Sequence, residues 1–272
     1  MLNCQTDVWS VHSIVDWDYV NQNYKCAIIG GAGLLHGAFS RFWEEAAEKC
    51  KLPIVCWGIG ACFPVAPHAQ TEPAPRKAVK AVFERSLLVD VRDELTREFY
   101  GHSDASVSFC PTAAWIRGEF KKSDSGNATP NVLLVEHVEL VPAEDVDARK
   151  RTLKRNGIRF KYTDNVQTRF ESVRSIVNRY YLGSSVVVTT RLHGAIIARS
   201  LGIPVIGISH DGKIDAFVDA WDGVMRAGSD EEVVDILQNC KYDSLEMDDK
   251  VFESMYEFGR SAAKVMQDIT AI

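Results

Sequence analysis

SSVVVTTRLHGAIIARSLGIPVIGIS, residues 184–209, carries the densest structural signal in the chain. Val186–Thr189 is a short β-branched run, the composition of a strand covered on both faces. Leu192, Ala195, Ile196 and Leu201 then recur at helical spacing, and GIPVIGI opens a second apolar run. Strand, helix, strand is a βαβ unit, and its sheet is parallel. Thr189 and Thr190 are natural helix caps, which puts Arg191 and His193 in the first helical turn. That turn sits at the C-terminal edge of the sheet, where open α/β sheets bind ligands. Its free N–H groups favour an anion. Arg191 adds a planar fork suited to carboxylate or phosphate. His193 adds a proton donor or acceptor near neutral pH.

The same alternation extends in both directions. Apolar runs at 24–29, 53–57, 87–91 and 107–110 precede a polar, aperiodic stretch, GEFKKSDSGNATPN, at 118–131. Further runs follow at 131–135, 158–162, 185–189 and 204–208. The polar stretch has the composition of a linker. The expected fold is therefore α/β, with two Rossmann-like, doubly wound domains whose parallel sheets face a cleft. The first domain spans 1–120. The second spans 131–272 and includes two late helices, at about 231–240 and 248–269.

Composition narrows the function classes. A net charge of -6 argues against a nucleic-acid binder, because phosphate backbones require a basic face. An anionic ligand must then meet a local cluster of cations. The seven cysteines form no C-x-x-C pair, and several lie in apolar runs, as Cys26 and Cys56 do. They read as buried thiols of a reducing compartment, with neither a disulfide framework nor a zinc site. No apolar stretch reaches membrane-spanning length, and MLNCQTDVWS carries no export signal, so the cytoplasm is the expected location.

Three other segments carry chemistry. AIIGGAGLLHG at 27–37 is a strand followed by a glycine-rich turn, in which Gly30, Gly31 and Gly33 allow close backbone approach. It is out of register for a dinucleotide fingerprint, so no nicotinamide cofactor is expected, and no metal-ligand spacing is visible. His36 in that turn reads as a surface residue. LLVDVRDELTREF at 87–99 ends a strand at Val91 and opens a helix. Asp93 and Glu94 suit a helix start, whereas Arg92 there points to a ligand. ISHDGKIDAFVDAWDG at 208–223 places Ser209, His210, Asp211 and Lys213 between a strand and a helix, with Lys213 available to a phosphate.

Taken in order, GGAGLL at 30–35, WGIG at 57–60, VRDE at 91–94, TTRLHGAIIARSLGIPVIGIS at 189–209 and Lys213 resemble the polysaccharide pyruvyl transferase family. The resemblance covers roughly residues 24–223. It implies a glycosyltransferase-B-like arrangement, phosphoenolpyruvate as donor, and a saccharide or lipid-linked oligosaccharide as acceptor. It makes Arg92, Arg191 and His193 the catalytic candidates. The substrate-binding candidates are Gly31, Gly33, Gly194, Ser209, His210 and Lys213. Two departures stand out: residues 1–23 lack the family's G-x-x-N-x-G-D-type loop, and Thr112 stands where an aspartate is frequent. No cofactor or metal is implied. The rival reading is a nucleotide-sugar glycosyltransferase of similar fold. Its ribose would need a carboxylate, for which Glu231 and Glu232 are the positions to inspect.

Overall fold

The computed structural model describes residues 6–10, 13–31, 33–61, 72–108, 110–121, 131–138, 141–166, 171–209, 212–221, 223–240 and 249–270. The chain divides into two compact units. One comprises Met1–Pro64, Gln70–Pro111 and Asp249–Ile272; the other comprises Val65–Ala69 and Thr112–Asp248.

The first unit contains α1 (Trp17–Asn23), β1 (Ala27–Gly30), a 3-10 turn at Gly37–Phe39, α2 (Ser40–Lys49), β2 (Ile54–Ile59), α3 (Arg76–Arg85), β3 (Leu88–Val91), α4 (Glu94–Tyr100) and β4 (Ser106–Val107). The second contains α5 (Pro111–Glu119), β5 (Val132–Val135), α6 (Ala143–Arg155), β6 (Phe160–Thr163), α7 (Val173–Ile176), a π-helical stretch at Val177–Tyr181, β7 (Val186–Thr189), α8 (Leu192–Ser200), β8 (Val205–Ile208), α9 (Gly212–Ala220), β9 (Val224–Ala227) and α10 (Asp230–Asn239). A long closing helix, α11 (Asp249–Thr270), belongs to the first unit.

The four strands of the first sheet are parallel and lie in chain order, β1-β2-β3-β4. Successive right-handed crossovers in one direction put every connecting helix on one face. Accordingly Ile54, Cys56, Val89 and Val91 join one cluster with Trp43, Val82, Phe83 and Tyr100 of α2, α3 and α4. The alternate side chains Val55, Trp57 and Leu88 join another cluster, with Phe258, Ala262 and Met266 of α11. The sequence reading kept α11 with the second domain. A sheet wound in one direction has a second face that no crossover helix covers, and α11 is the apolar helix that covers it. The doubly wound expectation thus describes the second sheet and not the first. The boundary differs as well, since α5 groups with the second unit ahead of the polar stretch.

Strand β2 carries a bulge between Cys56 and Ile59, at Gly58, whose φ is +62°. A glycine suits that left-handed backbone. The bulge turns the Gly58 N–H toward Asp90, which accepts it at 3.0 Å. Asp90 is fully buried and also accepts from Ser106 Oγ (3.1 Å), Ser108 N (3.0 Å) and Ser108 Oγ (2.8 Å). One carboxylate thereby ties the bulge to the short strand β4. Burial pushes its pKa up to about 6 against these four donors.

The second sheet is also parallel, in the order β6-β5-β7-β8-β9. All residues of β5, β7 and β8 are buried, as strands covered on both faces require. Val132, Leu134, Val186, Val188 and Ile206 pack with Leu153 of α6 and with Val233 and Leu237 of α10. Helix α10 starts with a capping box: Ser229 Oγ accepts from Glu232 N at 3.2 Å, and Glu232 Oε2 accepts from Gly228 N at 2.7 Å. No helix among the described residues is long and apolar enough to cross a membrane.

Candidate active site

In the second sheet the chain leaves β5 for β6 on one side and then returns past β5 to β7 on the other. The order reverses between β5 and β7, and a doubly wound sheet binds ligands beyond the C-terminal ends of the strands flanking that point. Glu136 and His137 follow β5, and Thr190 and Arg191 follow β7.

The floor of this crevice is built from fully committed polar groups. Thr190 Oγ1 donates to Glu136 Oε2 at 2.6 Å and accepts from the His137 N–H at 2.9 Å. Glu136 is fully buried, and its other oxygen accepts from Arg149 Nη1 at 2.5 Å. Arg149 Nε in turn donates to Asp230 Oδ1 at 2.7 Å. Burial opposes the charge of Arg149, but the two carboxylates overcome it and hold the guanidinium pKa above its ordinary value. A buried ion pair of this kind locks geometry more than it adds stability. Here it fixes the two strand ends against each other.

Arg191 stands on that floor. It is the N-cap of α8 itself and no side-chain cap is made, so the task for which the sequence suggests Thr189 or Thr190 is left to neither. Thr189 instead brackets the Arg191 backbone: its Oγ1 accepts from Arg191 N at 2.8 Å and donates to Arg191 O at 3.0 Å. The Nη1 of Arg191 is buried and has no hydrogen-bond partner among the described residues. An unpaired cationic donor at an uncapped helix N-terminus is a place for an anion. His193 is the second residue of the same helix, half-buried. Gly194 is the third. A Cβ there would meet Thr189 Oγ1 at 2.5 Å and Val135 Cγ1 at 2.9 Å. The absent side chain is what lets α8 lie against β5 and β7.

The other candidates are placed as follows. Ser209 follows β8 and donates to Asp215 Oδ2 of α9 at 2.9 Å. Lys213 is the second residue of α9. His210 and Asp211 lie outside the described residues. Arg92 belongs to the first unit. It follows β3, is 5% exposed, and donates from Nη2 to Ala61 O at 3.1 Å and from Nε to Asp93 Oδ2 at 3.3 Å. Its guanidinium lies over Gly60, where a Cβ would meet Cζ at 2.3 Å. Asp93 caps α4, accepting from Thr96 N at 2.7 Å. Gly31 and Gly33 follow β1, and His36 caps the 3-10 turn by accepting from Ala38 N at 3.0 Å. No group of three or more His, Cys, Asp or Glu side chains placed to hold a metal occurs among the described residues.

The family model for polysaccharide pyruvyl transferase matches residues 5–212 of this chain. The chain belongs to that family. No curated protein sequence matches it. The pyruvyl transferase match spans the glycine turn, Arg92 and the whole of β7 and α8, and it stops at the first residue of α9. Within it lie Thr190, expected only as a cap, and Glu136 and Arg149, to which the sequence drew no attention. Glu136 had a usable signal, an acid directly after the apolar run VLLV. Arg149 had none, lying among the charges of AEDVDARKRTLKR.

Proposed function

We propose that this chain transfers a pyruvyl group from phosphoenolpyruvate to a saccharide, closing a pyruvate ketal across two hydroxyls in the synthesis of a cell-surface polysaccharide. The supporting observation is Arg191, half-buried at the uncapped start of α8 two positions before His193, whose buried Nη1 has no hydrogen-bond partner among the described residues. Phosphoenolpyruvate brings a carboxylate and a phosphate on one small carbon skeleton, and both are anions such a place accepts.

His193 gives its proton to the methylene carbon, which becomes the methyl group. The neighbouring carbon gains oxocarbenium character, and a sugar hydroxyl adds to it, its proton going to His193 and restoring the imidazolium. The C–O bond to phosphate then breaks, and inorganic phosphate leaves with the bonding electron pair. A second hydroxyl closes the ring, and its proton leaves with the phosphate. Arg191 and the first-turn N–H groups of α8 stabilise charge on the departing oxygens. Arg92 is carried as a further donor-binding candidate by its place in the VRDE motif. The acceptor is a free or lipid-linked oligosaccharide, and the reaction belongs in the cytoplasm, where the donor is made. The nucleotide-sugar alternative loses one of its two ribose carboxylates, because Glu232 is engaged in the capping box of α10.

Calorimetric titration with phosphoenolpyruvate tests the donor. Arg191→Lys keeps the charge but loses the fork, and affinity falls by about 1.5–3 kcal/mol. His193→Gln leaves binding nearly intact and lowers phosphate release by about 10²–10⁴-fold. Tighter binding of nucleotide sugars than of phosphoenolpyruvate, or normal turnover in His193→Gln, overturns the reading.

A further inference from the structure

Strand β6 ends at Thr163, beside β5 in the second sheet, and two residues later Asn165 turns into the left-handed region with φ 59°. It is the sole non-glycine residue with positive φ among those described. Such backbone is uncommon outside glycine, asparagine and aspartate, and it clusters at ligand sites. The turn is held: Asn165 N donates to Thr163 Oγ1 at 3.1 Å, and Asn165 Nδ2 donates to Tyr181 Oη at 2.5 Å. Tyr181 is fully buried at the end of the π-helical stretch, itself a frequent mark of functional sites. Half of the Asn165 amide is thereby fixed. The other half, Oδ1, is buried and has no hydrogen-bond partner among the described residues.

Arg191 is the second group in this sheet edge with that property. Their strands flank β5, so the strand ends lie about 10 Å apart, and their side chains can close most of that span. The charge of Arg191 reaches the Tyr181 phenol: burial raises the phenol's pKa, and the Asn165 hydrogen bond and Arg191 both draw it back down. Between them, Glu136 after β5 is committed to Arg149 and Thr190, and Thr190 after β7 also accepts from the His137 N–H. Arg191 Nη1, a cationic donor, and Asn165 Oδ1, a neutral acceptor, are thus both buried atoms without a partner among the described residues, on the ligand-binding edge of one sheet.

We infer that Asn165, braced by Tyr181, is a substrate-contacting residue that accepts a hydrogen bond from a hydroxyl of a ligand whose anionic group is held by Arg191. The ligand class is an anion bearing, or lying beside, a hydroxyl donor. Phosphoenolpyruvate in its dianionic and trianionic forms offers several acceptors and little to donate. If the proposed pyruvyl transfer holds, the hydroxyl is therefore that of the acceptor sugar, and Asn165 orients it beside the bound donor. That last identification rests on the proposed function; the hydroxyl contact does not.

The test uses the full chain and two probes, methyl phosphate (anion without hydroxyl) and glycerol 3-phosphate (anion with hydroxyls), titrated by calorimetry. The unchanged protein should bind glycerol 3-phosphate about fivefold more tightly, the worth of one neutral hydrogen bond. Asn165→Gly tolerates the positive φ and removes the amide; it should erase that advantage and leave methyl phosphate unaffected. Tyr181→Phe, which keeps the ring in the core, should shrink the advantage because the amide loses its brace. Arg191→Lys should weaken both probes. An advantage that survives Asn165→Gly, or none in the unchanged protein, overturns the inference. A normal pattern with both probes but no binding of phosphoenolpyruvate supports the hydroxyl subsite and removes the donor assigned above.

Discussion

Replacing Gly194 by alanine separates the packing of α8 from its chemistry. The new Cβ would stand 2.5 Å from Thr189 Oγ1 and 2.9 Å from Val135 Cγ1. Ordinary carbon contacts begin near 3.5 Å, so roughly 1 Å must be found. Thr189 cannot swing aside without breaking both of its bonds to the Arg191 backbone, at 2.8 and 3.0 Å. Val135 is β-branched, stiff, and sits in a central strand of its sheet. The start of α8 must therefore lift. Overpacking of this kind costs about 1–3 kcal/mol. Alanine returns about 1 kcal/mol of helix propensity. The net loss of stability is about 0–2 kcal/mol, measured by urea unfolding. Activity should suffer more, because Arg191 and His193 ride on the displaced turn, and a shift of 1 Å costs about 10²-fold in turnover. Gly118, within α5, is the control: a Cβ there meets nothing within 4 Å, so Gly118→Ala should gain up to about 1 kcal/mol and leave turnover alone. If Gly194→Ala behaves like the control, gaining stability with undiminished phosphate release, the close approach of α8 to β5 and β7 is wrong.

Two further predictions concern the first unit. Gly60→Ala pushes its Cβ into the Arg92 guanidinium, 2.3 Å from Cζ, and should move that cation without removing it. Donor affinity measured by calorimetry should fall by about 1.5–3 kcal/mol, as for Arg92→Lys, and unchanged affinity in both variants would dismiss Arg92 from binding. Asp90 gives a pH signature. Burial raises its folded pKa from 3.8 to about 6, so the native state holds its proton when the unfolded chain has released it. Stability then declines as pH rises from about 4 to about 6, by about 3 kcal/mol in total. Urea unfolding across that range should show the decline in the unchanged protein and a flatter profile in Asp90→Asn; parallel profiles would refute the buried carboxylate.

The sequence was most legible where one element explained itself. Val186–Thr189 and Leu192–Ser200 were readable because a β-branched run and a helical period abut without a gap. Strand β9 was missed because VMRA is a half-exposed edge strand with an arginine in it, and no apolar run announces it. Strand order was invisible, since a singly wound and a doubly wound sheet are made of the same βαβ units. The position of α11 followed from that order and could not be read before it. The place of Arg191 and His193 at the start of α8 was legible from the strand before them. Glu136, Arg149 and Asp230 were not, because their meaning is their mutual contact across 13 and 81 positions of sequence. Asn165 lay in plain turn composition, TDN, and only its backbone angle sets it apart.

The long closing helix has a consequence for how the molecule comes into being. During synthesis the first sheet is complete once β4 emerges, yet Val55, Trp57 and Leu88 wait for the cover that α11 supplies. That cover is made roughly 160 residues after β3, about 10–30 s later at ordinary elongation rates. Residues 112–248 fall entirely within that interval, so the second unit can mature while the first still shows bare tryptophan and leucine to the ribosome's surroundings. The portion made first is finished last. Chaperone occupancy of nascent chains should accordingly peak after β4 and fall once α11 clears the exit tunnel.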